Sequence, residues 1–77
     1  MEEKIIKVAK MVMADTEAYC IKMDINSADE AKLWRSAYDE IEGIIILAME
    51  LLDCEIEDYP ISRLQKMQDM IREKIEQ

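Results

Sequence analysis

Histidine and phenylalanine are absent from this chain of 77 residues, and glycine and proline occur once each. Without histidine, the commonest general base and the commonest nitrogen ligand for metals are missing. Serine triads and cysteine–histidine dyads therefore cannot be assembled within one chain. The single glycine, Gly43, leaves no glycine-rich phosphate cradle. One Gly and one Pro also supply too little turn chemistry for a loop-rich fold. Two cysteines, Cys20 and Cys54, are too few for a disulfide scaffold or for a structural zinc site built from four Cys or His ligands. No apolar run approaches the roughly 18 residues of a membrane span. The longest, Gly43 to Met49, is closed by Glu42 and Glu50. Lys7, Lys10, Asp15 and Glu17 interrupt the apolar runs near the N-terminus, so no secretory h-region forms and a cytoplasmic protein is expected.

The most informative shortage is of positive charge. Between Ser36 and Ser62 there is no Lys or Arg, against eight acids: Asp39, Glu40, Glu42, Glu50, Asp53, Glu55, Glu57 and Asp58. Elsewhere ten acids meet ten bases, so the net charge of −8 sits in that one segment. A stretch of one sign repels nucleic acid and attracts basic surfaces. Direct nucleic-acid binding needs clustered Lys and Arg, and here acids outnumber bases by 18 to 10. Lys4, Lys7 and Lys10 share their helix with Glu3 and make a mixed face.

What is present favours helices. Half of the residues are apolar, which excludes general disorder, and Lys, Glu, Met, Leu, Ile and Ala dominate. The length allows one domain, residues 1–77, and a chain this short buries only about 60% of its unfolded surface. Such domains are commonly supplemented by a second subunit.

A first helix is expected over about 2–22, with Ile5, Val8, Ala9, Val12, Thr16, Tyr19 and Met23 on its buried face. A thinner stripe of Met11, Ala14, Ala18 and Ile21 runs down its other side at spacings of 3, 4 and 3 and is the candidate self-association surface. Ser27 and Glu30 match a capping box for a second helix over about 28–53. Its apolar arc takes in Trp34, Ala37, Tyr38, Ile41, Ile44, Ile45, Ala48, Leu51 and Leu52, widened by Leu33, Leu47 and Met49. An arc that broad marks a central helix covered by both others. Cys54 to Pro60 reads as a linker. A third helix is expected from about Pro60 or Ser62, with Ile61, Leu64, Gln68, Ile71 and Ile75 inward, Met67 and Met70 flanking, and Ser62 with Gln65 as a second cap. The fold class is therefore all-α, a small up-down-up bundle of three helices with a long central helix, self-associating, a dimer first. Antiparallel packing puts Cys20 and Cys54 about 30 Å apart by helix rise, so free thiols are expected.

Opposite the apolar arc of the second helix, Asp39, Glu42, Glu50 and Asp53 line up around Ile46, with Glu57 extending the line. An apolar knob inside an acidic frame fits a basic protein partner, charge speeding encounter and Ile46 supplying burial. These six residues are the candidate partner-binding site. Small acidic helical proteins of this kind include immunity proteins, antitoxins and phage-encoded inhibitors, an analogy of size and charge only. No catalytic residue, cofactor or metal is assigned. Residues 53–64 resemble a calcium loop only superficially, because Asp58 stands where glycine is required and Leu64 where the bidentate glutamate belongs. Glu50 and Asp53 form an E-x-x-D pair. A metal-dependent nucleotide hydrolase would also need an E-E-x-x-E cluster, and the nearest stretch, Asp29 to Leu33, ends in leucine. That activity is a remote alternative, and a self-assembling module without a charge-led partner is a nearer one.

Overall fold

In the computed structural model, which describes residues 2–53, 55 and 57–76, the chain forms three helices. They are α1 (Glu2–Met23), α2 (Ser27–Leu52) and α3 (Ile61–Glu76). Glu2 and Glu3 open α1 and Lys22 closes it, each complementing the helix dipole. Asp24, left-handed at φ 48°, ends that helix, and its amide donates to the Ile21 carbonyl. The chain turns within three residues, and α1 returns beside α2: Glu2, Glu3 and Lys4 share a shallow concavity with Leu52. α3 runs antiparallel to α2, since Gln68 reaches Glu42 while Arg72, one turn further on, reaches Tyr38. The bundle is thus the expected all-α, up-down-up arrangement with a long central helix.

The N-cap of α2 differs from expectation. Asn26, not Ser27, occupies it: its Oδ1 accepts from the Asp29 amide at 2.9 Å, and its Nδ2 donates to the Asp29 carboxylate at 3.2 Å. Asparagine and serine cap about equally well, so the choice rests on where the tight turn ends. Glu30 is consequently free of capping and accepts from the Trp34 indole at 3.4 Å. Ser62 likewise lies inside α3, whose start is fed instead by the Asp58 and Pro60 carbonyls.

The core lies mainly between α2 and α3. Trp34, Ile41, Ile61, Leu64 and Ile71 are fully buried, joined by Ala37, Ile45, Ala48 and Met67. From α1 come only Ile6, Ala9 and Cys20. This corrects the expected α1 face. Ile5, Val12 and Thr16 are partly buried, whereas Val8, Tyr19 and Met23 are about half exposed. α1 is rotated so that Ile6, Ala9, Met13 and Cys20 point inward, because it leans on one flank of α2 and does not straddle the α2–α3 seam. For the same reason Leu47 and Leu51, expected in the broad apolar arc, stand out in solvent. Met70 is exposed too, and Ile75 is only partly buried.

Candidate functional site

The site builds outward from the buried seam. Gln68 on α3 is the buried polar residue of the core. Its amide nitrogen donates to the Glu42 carboxylate at 2.7 Å and reaches the Tyr38 carbonyl at 3.4 Å. A charge-assisted bond that short fixes the Glu42 side chain against α3. Beside it, Arg72 donates to the Tyr38 hydroxyl at 2.9 Å. Lys74 lies 5.1 Å from the Trp34 ring centroid, within cation–π range.

Ile46 and Glu50 follow Glu42 at one-turn intervals along α2. Ile46 is 58% exposed. With Met49, Glu50, Asp53 and Glu55 it lines an open groove of about 500 Å³ at the C-terminal end of the helix. Asp53 is the C-cap, held left-handed at φ 52°. The following loop is pinned by Asp58, whose carboxylate accepts from the Glu55 amide at 3.0 Å and whose carbonyl accepts from Ser62.

The groove's position shapes its electrostatics. The last turn of α2 has no basic residue. The helix's own negative pole, with its unsatisfied carbonyls, therefore adds to Glu50, Asp53 and Glu55. Acids at that pole are locally unfavourable, by about 0.3–1 kcal/mol each. Among the described residues no ion pair involves Asp39, Glu50, Asp53 or Glu55, and the surface pair recorded, Arg72 with Asp69 at 4.0 Å, lies on α3.

The six sequence-derived partner residues are all exposed, but they do not form one line. Ile46, Glu50 and Asp53 come together in the groove. Glu42 is turned toward α3 by Gln68. Asp39 and Glu57 lie outside the groove lining. Sequence reasoning missed Met49 as a wall, having placed it in the apolar arc, and Glu55 as a rim. An i, i+3 step from Ile46 to Met49 was the available signal for the first; the second depends on the loop. Met11, Ala14, Ala18 and Ile21 are exposed on the side of α1 turned away from the core. Cys20 is buried and free. Desolvation pushes its thiol pKa up, with Glu30 and Glu17 adding to the rise, so it is a poor nucleophile. The reading of Cys54 at the opposite end of the bundle falls outside the described residues. Among the described residues no group of three or more His, Cys, Asp or Glu is arranged to hold a metal ion, and no helix is long and apolar enough to cross a membrane.

No protein-family profile matches the chain, and neither a curated protein nor a solved structure matches it. The site's own chemistry is therefore the ground for any functional reading.

Proposed function

We propose that this chain is a non-enzymatic interaction protein that binds, and by binding inhibits, a basic protein partner through the C-terminal outer face of α2, in the manner of immunity, antitoxin or phage-encoded inhibitor proteins. One observation carries the reading. An exposed Ile46, beside a partly buried Met49, is rimmed by three carboxylates that sit at the negative pole of a helix and form no ion pair among the described residues. That arrangement costs the free chain stability, and a cationic group docked there would relieve it. Local rules broken in this way cluster where a protein does its work. Charge brings the partner in; the isoleucine and methionine supply the apolar contact that holds it. Asp39 and Glu57 extend the field without lining the groove, and Glu42 is held against α3 by Gln68.

Capture from the native host on immobilised protein tests the reading. The expected result is a basic protein retained at low salt, released at high salt, and lost to Ile46→Asp and to Glu50→Lys while helicity by circular dichroism is unchanged. Retention by both variants would sink the proposal.

A further inference from the structure

We infer that a second copy of this chain covers the outer groove between α1 and α2, a face distinct from the acidic groove and independent of the basic-partner reading. Two heptad seams single out this face. On α1, Ile5, Val8, Val12, Asp15 and Tyr19 recur at spacings of 3, 4, 3 and 4. On α2, Leu33, Ala37, Glu40, Ile44, Leu47 and Leu51 recur at 4, 3, 4, 3 and 4. Seams of this kind interlock with facing helices. Val12, Asp15, Tyr19, Leu33 and Glu40 already line one groove of about 350 Å³. Because α1 begins beside the end of α2, both seams continue along that groove to its other end. There the seam residues are apolar and bare: Val8 is 49% exposed, Leu47 59% and Leu51 62%. Tyr38 and Glu42, which meet α3, lie on the other flank of α2, so α3 does not cover them.

Surface and shape name the occupant. A compact monomer of 9.0 kDa exposes about 4,850 Å² by size scaling, and this chain exposes 5542 Å². The excess of about 700 Å² approaches the share, about 800 Å², that each partner gives to a standard interface. The radius of gyration, 13.0 Å, exceeds the roughly 11.5 Å expected of a compact chain this long. The molecule is elongated, 40 × 21 × 14 Å, and a second copy laid on the α1–α2 side restores the compactness that so small a chain lacks.

Charge sets the register. Asp15 and Glu40 stand on the seams toward the Tyr19 end, and each copy carries −8. Like charges set face to face oppose docking. The copies therefore overlap at Val8, Ile44, Leu47 and Leu51 in an isologous contact that keeps Asp15 and Glu40 of the two copies apart, while Glu50 and Asp53 stay at its margin and repel across it. Added salt screens the repulsion and tightens this dimer, the opposite of the release expected for a basic partner.

Sedimentation equilibrium of the purified chain over a range of concentration and salt provides the test. The expected result is a species of twice the 9.0 kDa chain mass, more populated at high salt, and a Leu47→Glu/Leu51→Glu variant that is monomeric with unchanged helicity. Ala14→Glu, on the other exposed stripe of α1, leaves the dimer intact. A chain monomeric at its highest soluble concentration overturns the inference, as does a dimer that survives the double substitution or is dissolved by Ala14→Glu. If the double variant loses helicity, isotope-filtered NOEs on a mixed-label sample of the unaltered chain decide. Contacts between copies at Val8, Ile44, Leu47 and Leu51 support the inference; their absence overturns it.

Discussion

Between α2 and α3 lie Trp34, Ile41, Ile61, Leu64 and Ile71, all fully buried, and bonds from Gln68 and Arg72 cross the seam. α1 is nearly as long as α2, yet it buries only Ile6, Ala9 and Cys20. A fully buried Ile, Leu or Phe side chain is worth about 1.5–3 kcal/mol, and an alanine far less, so the α2–α3 pair carries most of the packing energy. The contrast separates two kinds of amphipathic helix. α3 spends its apolar residues on its own core. α1 and the outer flank of α2 hold theirs in reserve, at Val8, Met11, Tyr19, Ile21, Leu47 and Leu51. Surface left over in this way is where other molecules attach.

The comparison breaks first, if it breaks, at Ile41. Ile41→Ala empties a site with no solvent access and is expected to cost about 3–5 kcal/mol in urea unfolding. A loss below about 1 kcal/mol would mean that the seam is not the centre of stability. Ile6→Ala probes the other side. Near the start of α1 the helix can shift to close the gap, so the expected cost is at the low end, about 2 kcal/mol; a loss equal to that of Ile41→Ala would erase the distinction. Hydrogen exchange sharpens it further, with α1 amides opening well before those of central α2. Asn26→Ala removes the cap of α2 and should cost about 1 kcal/mol, with faster exchange confined to the first turn of that helix. Gly43→Ala is the smallest change. Nothing lies within 4 Å of the added carbon, so a gain of up to about 1 kcal/mol is expected. Destabilisation there would show that another molecule packs directly over Gly43 in solution.

Helix number, order and approximate ends were legible because period and length agree within each segment, although the caps expected at Ser27 and Ser62 are not the ones used. The inward face of α3 was legible for Ile61, Leu64, Gln68 and Ile71, since a short helix with a narrow apolar stripe has one way to pack. The face of α1 was not. Its apolar residues spread around most of the cylinder, from Ile21 and Met11 through Val8 and Val12 to Ile6, so several rotations bury similar area. The acidic line on α2 was half legible. Helical spacing put Ile46 and Glu50 on one side, but the Gln68 bond to Glu42 joins residues 26 positions apart, and no local pattern announces it.

Taken alone, the order of residues determined that this is a helical protein, that its excess charge lies in one segment, and that histidine chemistry is closed to it. These follow from composition and from contacts within a few positions along the chain. The tertiary arrangement decided which apolar residues stay wet, that Glu42 turns toward α3, and that Met49 and Glu55 join Ile46 around a groove. Those outcomes depend on how one helix leans against another. That angle comes from the summed packing of distant side chains, where many small energies compete and no single residue decides.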